Sequence, residues 1–268
     1  MIRIEHTEVV GWEHAIRGMR NPMNSWDKSD SRYGCKPYHS SHPSFCDEKY
    51  DCPDWYECHG ANAEMIIGPN DLALMKKLAQ AGTDHRKFMR MIVVYCDITA
   101  PLYWWKEFDT YKVGTVANSC STMHKIHEKE FTLEDFSHEH LTESLTIEAP
   151  GSICVMRLLE EPDSKCMHRF LDPLKYTISE LNIARRMYLE TKDKRYWWQM
   201  IQLLPTSYNQ KRTVMLNYEV LANIYKPTSR QHHKQDEWNV DCPGSFCKWI
   251  ESLPYSQLIT GKEGEADG

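Results

Sequence analysis

Apolar and polar positions alternate over residues 2–10 (IRIEHTEVV), which predicts a half-buried strand, because successive strand side chains face opposite ways. Residues 11–19 (GWEHAIRGM) read as a short helix. The segment NPMNSWDKSDS that follows is polar and reads as a loop. Residues 33–60 show no period and read as an insertion. Order returns at Pro69: Asp71 is placed to cap a helix whose apolar positions are 72, 74, 75 and 78, and Gly82 stops it. FMRMIVVYCDIT is rich in β-branched and large apolar residues and predicts a strand over about 88–98. Pro101 then opens a helix, since its fixed φ suits a first turn.

Residues 112–124 (KVGTVANSCSTMH) are small and polar and read as a loop, and residues 133–147 as short acidic helices. The stretch 150–165 is weakly strand-like. Residues 172–203 carry two helical patterns that end before Pro205. KRTVMLN (211–217) reads as a strand and YEVLANIY (218–225) as a helix. A last helix over 234–252 is interrupted by DCPGSFC. Its length, 268 residues, is read as one domain over 1–260 with the insertion at about 33–60. The tail 261–268 is disordered by composition.

With 41% hydrophobic and 26% charged residues, the chain can bury a core without disulfides and is not disordered overall. The net charge of −6 argues against binding bulk nucleic acid, which needs a basic surface, but leaves room for a local pocket for a small nucleotide. No apolar run approaches the ~20 residues of a membrane helix. The N-terminal residues do not resemble a signal peptide, so a cytoplasmic protein is expected and most of the ten cysteines are read as free thiols. In the insertion, Cys35, Cys46, Cys52, Cys58 and His59 are possible zinc ligands. Their spacings of ten, five and five residues lack the tight knuckle that makes loop closure cheap, so no metal site is assigned.

Three blocks resemble the flavin-dependent thymidylate synthases, in that family's order. DITAPLYWWKEFDTYKVGTVANSCSTMH is similar to its central strand, Ala-Pro and helix, followed by Arg-His-Arg, seven residues and a Ser that approaches the uracil. Ala100-Pro101 place Thr110, Tyr111 and Lys112 where Arg-His-Arg belongs and Cys120 at the Ser position. Sliding by one residue matches Asn118 and Ser121 instead, and both alignments stand. QLLPTSYNQKRTVMLNYEVLANIY is similar to the family's Leu-Pro, Asn-Ala-Arg and Asn-Phe block. Leu204-Pro205 match, as do Asn217 and Asn223, the second of which sits at the flavin in the family. Glu219 stands where an Arg is usual, and Arg230 matches a downstream nucleotide-binding Arg after a two-residue shift. HAIRGM is similar to the family's Ala-Ala-Arg segment through Arg17.

The resemblance implies an α+β fold, a central mixed or antiparallel sheet flanked by helices, and a homo-oligomer, a homotetramer in the family. It also implies a nucleotide site drawn from Arg17, Arg20, Asn21, Ser25, Tyr111, Lys112, Asn118, Ser119, Ser121, Asn217, Asn223 and Arg230. Trp104 and Trp105 are candidates to stack on bases or to fill the core. Cys120 is either a nucleophile toward uracil C6 or an inert replacement for Ser.

The missing arginines remove planar, bidentate donors that a lysine does not replace. The expectation is therefore a non-catalytic nucleotide binder on a degenerate scaffold. It would sequester a nucleotide or cyclic-nucleotide signal, in the manner of phage anti-defence proteins. The alternative is a divergent enzyme that methylates a pyrimidine nucleotide with FAD and a folate. A third reading is an interaction protein that presents the Cys-rich insertion to a partner.

Overall fold

The computed structural model describes residues 2–35, 63–148, 165–226 and 228–262. Eight strands and nine α-helices are described. A four-stranded sheet has the order β1 (Arg3–Val10), β4 (Val93–Pro101), β8 (Asn209–Asn217), β5 (Val116–Ser119). β2 (Arg32–Cys35) pairs antiparallel with β3 (Ala63–Ile66), Arg32 opposite Ile66, and these strands flank residues 36–62. β6 (Leu145–Glu148) pairs antiparallel with β7 (Lys165–His168) and flanks residues 149–164. The fold is α+β, as expected. The zinc candidates Cys46, Cys52, Cys58 and His59 lie outside the described residues, and so does nearly all of the strand read at 150–165. Among the described residues no cluster of three or more His, Cys, Asp or Glu is placed to hold a metal ion.

Several boundaries differ from the sequence reading. The strand expected from residue 88 starts at Val93, because Lys87–Met91 form a 3-10 turn. The loop read at 112–124 contains β5 and a short helix α4 (Thr122–Lys125); an exposed edge strand buries no apolar face, so it leaves no alternation to read. Residues 145–147, read as helical, belong to β6. Near the C-terminus, among the described residues, only Phe246–Glu251 (α8) and Gln257–Thr260 (α9) are α-helical.

The chain divides into two compact units. One consists of the described parts of 4–96, 111–117 and 214–268. Here α1 (Trp12–Arg20) and α2 (Pro69–Gln80) are joined by a buried ion pair, Arg20 Nε donating to Asp71 Oδ1 at 2.6 Å. Asp71 does not cap α2; it lies within the first turn, fully buried. Asp30 caps instead, accepting from the backbone N–H of Asn70 and Asp71. Asp71 Oδ2 accepts from the hydroxyls of Ser29 and Ser31 and from the backbone N–H of Asp30 and Ser31. Burial pushes its carboxyl up, but the bonds from Ser29, Ser31 and Arg20 outweigh it and hold the pKa below the usual value.

The centre of this unit is α7 (Tyr218–Tyr225), a helix apolar nearly all round and therefore buried nearly all round. Asn217 caps it, Oδ1 accepting from Val220 N–H at 3.0 Å. Near its C-terminal end, Tyr225, Lys248 and Lys262 donate to Glu251. Burial raises the Glu251 carboxyl, but the bonds from Lys262, Tyr225 and Lys248 prevail and bring it to about 2.

The other unit consists of the described parts of 97–110 and 118–213 together with the first residues. α3 (Leu102–Phe108) follows Pro101. Trp104 and Trp105 are 0% and 1% exposed, so both fill the core and neither is open to stack on a base. Trp105 donates to Gln210 O at 3.0 Å, and the Arg212 guanidinium lies 4.1 Å over its ring. α5 (Leu171–Thr191) and α6 (Lys194–Leu203) form the expected helix pair. They enclose a core with Ile126, Phe131 and Phe136, in which Leu181 and Met200 are fully buried.

Asp71→Ala leaves the Arg20 guanidinium buried without its carboxylate, and urea unfolding is expected to show a loss of about 3–5 kcal/mol. Glu251 has a folded pKa below its unfolded one, so its contribution is complete above the unfolded value and lost as pH falls. Stability measured by denaturant titration is expected to drop between pH 4.5 and about 2, and Glu251→Gln to flatten that part of the profile.

Candidate functional site

The residues that the resemblance singles out fall into four local groups. In the first, Arg20 is 4% exposed and its donors are committed within the protein. Besides Asp71, Nη1 donates to Ser25 O at 3.0 Å and Nη2 to Lys28 O at 3.0 Å. Ser25 is 7% exposed, and Asn21 Oδ1 accepts from Trp26 Nε1 at 2.8 Å. Arg20, Asn21 and Ser25 thus hold residues 20–28 in shape, while Arg17 is exposed and lies 3.4 Å from His14 Nδ1.

The second group is built on α7. Glu219 is 4% exposed on a mostly apolar helix, and a buried carboxylate requires a partner. Arg86 provides one, with Nε 2.8 Å from Oε2 and Nη2 donating to Oε1 at 3.2 Å. The same Nη2 donates to Asn223 Oδ1 at 3.2 Å, and Lys226 Nζ donates to that oxygen at 2.7 Å. The side-chain acceptor of Asn223 is therefore occupied by two cations of the protein. Arg86 was not singled out in the sequence; a lone Arg in a polar stretch carries no periodic signal. Asn217 is a helix cap, 6% exposed, and its Nδ2 lies 3.4 Å from Gly114 O. A Cβ on Gly114 would come within 2.4 Å of that nitrogen, so this approach needs glycine.

The third group brings Tyr111 and Arg230 together. The guanidinium lies 5.7 Å from the centre of the Tyr111 ring and 5.6 Å from that of the buried Trp238. Tyr111 Oη and Ser229 Oγ are 2.7 Å apart. Lys112 is exposed.

The fourth group is the run Asn118, Ser119, Cys120 and Ser121. All four are exposed. The backbone N–H of Cys120 donates to Lys211 O at 2.9 Å, and Gln210 Nε2 donates to Cys120 O at 3.1 Å, so Cys120 is tied to β8 on both sides. Ser121 caps α4, accepting from His124 N–H. Cys120 and Ser121 open onto a cavity of about 350 Å³. Ile126 and Phe131, each 5% exposed, supply apolar wall, and Tyr208, Asn209, Gln210 and Lys211 line it from β8 and the residue before it. Lys125, Lys129, Glu128, Glu130 and Asp135 bring charge to it. Burial, with Asp135 and Cys120 adding to it, raises the Tyr208 phenol, so it stays protonated at neutral pH.

α5 holds the far side of this loop. Asn182 makes a two-way bond with Phe131, its Oδ1 accepting from the backbone N–H at 2.9 Å and its Nδ2 donating to the carbonyl at 2.8 Å. Arg185 donates to His127 O at 2.9 Å and to Glu128 O at 3.1 Å, and Trp197 of α6 donates to Met123 O at 3.0 Å. These residues were not legible as site residues. Asn182 and Arg185 are three apart on one helix face, a spacing that surface residues share.

No protein-family model matches the chain, and no curated protein matches it. Solved structures do. Thymidylate synthase X from Helicobacter pylori, with FAD and dUMP, is 12% identical with a TM-score of 0.55, covering 97% of each chain. The UMP/dUMP methylase PolB from Streptomyces cacaoi, bound with 5-Br dUMP, is 13% identical with a TM-score of 0.51, covering 97% of this chain and 95% of that one.

Asn182→Ala removes both bonds to Phe131, and each net hydrogen bond is worth about 1 kcal/mol. Amide hydrogen exchange is expected to quicken about thirtyfold in residues 127–131 and to stay unchanged in α7. At this level of identity the likeness is one of fold: the chain is similar in architecture to the flavin-dependent thymidylate synthases along nearly its whole length.

Proposed function

We propose that this protein binds a nucleotide on a flavin-dependent thymidylate synthase-like scaffold without converting it. The observation that carries this reading is the fate of the charged side chains. Arg20 is bonded to Asp71, Ser25 and Lys28, and Arg86 is bonded to Glu219 and Asn223. The polar run 118–121 remains exposed beside a cavity. A flavin pyrophosphate needs cationic or N–H donors, and a buried Glu219 carboxylate adds charge of the wrong sign. With Asn223 Oδ1 also taken, these residues do not fit a flavin held as the resemblance implies, and no step through one is derived. Binding without turnover suits the sequestering of a nucleotide or cyclic-nucleotide signal, as in phage anti-defence. Cys120 then stands as a replacement for Ser, and the homo-oligomer implied by the resemblance belongs to the same reading.

One observation favours a second reading. Cys120 is an exposed thiol on the cavity wall, where a nucleophile would sit in a divergent FAD- and folate-dependent pyrimidine methyltransferase. The visible spectrum of the freshly purified protein separates the two. A colourless protein that releases a chemically intact nucleotide on heating is expected. Flavin absorbance near stoichiometry would overturn the non-catalytic reading.

A further inference from the structure

The nucleotide-binding reading leaves one whole face of α5 unused. On its inner side Leu174, Leu181 and Ala184 are buried, and Asn182 and Arg185 hold the loop 127–131. Its outer side presents Asp172, Tyr176, Ser179, Ile183, Arg186 and Glu190, all exposed. They follow one another at four, three, four, three and four residues, which sets them in one row along the helix. Tyr176 and Ile183, 68% and 41% exposed, are a heptad apart in this row. Such a row is the geometry in which one helix packs on another. We propose that two copies of the protein meet here, their α5 helices antiparallel and crossing at Ser179.

The order of residues about Ser179 supports this. In an antiparallel pair with a two-fold axis at residue 179, each position before it faces the position equally far after it in the other copy. Seven residues either way stand Asp172 and Arg186, so the carboxylate of each copy meets the guanidinium of the other. Tyr176 stands three before and Ile183 four after. At about 100° per residue both lie on the same side of the row, so the ring of one packs on the aliphatic chain of the other. Ten before and eleven after stand Arg169 and Glu190, again opposite in sign. At the crossing is a serine, small enough to let the helix axes approach to about 8 Å. A parallel pair in register would instead set Asp172 against Asp172 and Arg186 against Arg186, which is repulsive.

The mixture of signs disfavours other occupants. A lipid or nucleic-acid surface would meet Asp172 and Glu190 as well as Arg186. Asp172 now lies 3.5 Å from Arg169, with both side chains at least half exposed, a weak surface pair that is free to exchange. α5 has 21 residues, so the row is about 30 Å long. A seam of that length is at the small end of specific interfaces, about 1,200 Å² in total, so association in the micromolar range is expected. The proposal gives a surface to the self-association included in the proposed function and rests on that part of it alone, not on nucleotide binding.

Sedimentation velocity of the full chain tests it. The protein is expected to associate. Asp172→Arg and Arg186→Asp each set like charges opposite one another at two points, and each is expected to weaken one association step about tenfold with the helical circular dichroism unchanged. The double variant D172R/R186D exchanges the signs and is expected to associate as the unaltered protein does. Ser179→Cys is expected to give, on mild oxidation, a disulfide between the introduced thiols of two copies, identified by peptide mass spectrometry. If the protein associates, the single variants do so unchanged and no such disulfide forms, this surface is overturned and the oligomer stands. If the single variants dissociate and the double variant does not recover, the antiparallel pairing of charges is overturned. A protein that stays monomeric up to about 100 μM overturns both the surface and the oligomer, and leaves nucleotide binding to its own test.

Discussion

A charge removed from water must be paired, and that requirement sets the internal order of the unit containing α1 and α2. Asp71 is fully buried and accepts five hydrogen bonds, drawn from α1 and from the segment 29–31. The backbone path from Arg20 to Ser31 is thereby fixed by one carboxylate. Its partner Arg20 turns inward and bonds two backbone carbonyls as well. The arrangement is cooperative in a simple sense: removing either partner leaves a buried charge unmatched, which costs far more than the pair contributes against an apolar substitute.

The same rule governs α7. Glu219 occupies a position where apolar residues surround it, and Arg86 is recruited from far along the chain to meet it. Both ion pairs turn an arginine away from any external anion. In both pairs a carboxylate of the protein takes up a guanidinium group of the protein. In the unit containing α5, cations are placed differently. Lys125, Lys129 and Lys211 line a cavity, and each has a carboxylate within ion-pair distance.

How much of this was legible depends on the signal. The strand at 3–10, the helix pair 171–203 and the β8–α7 junction each carry a clear period, and all three form close to the boundaries read from it. β5 was read as a loop because its residues, VANS, are all exposed and show no alternation; Leu145, Thr146, Ile147 and Glu148 of β6 do alternate, but four residues are too few for the period to stand out from the acidic stretch before them. Trp104 and Trp105 were open to two uses, and only their burial against Phe108, Gln210 and Arg212 decided for the core. Asp71 has the right residue type for a cap and sits one turn too deep to be one. Its neighbour in function, Asp30, lies across a stretch of sequence that no local rule spans.

The sequence by itself determined the fold class and the order of its main elements, because periodicity and residue identity are local properties. Only the tertiary structure decided which charges are available. Arg20 and Arg230 look alike as letters, and so do Lys112 and Lys211. Availability to a ligand depends on which carboxylates and rings lie within a few ångströms, and those neighbours come from segments up to 133 residues away, as Arg86 and Glu219 show.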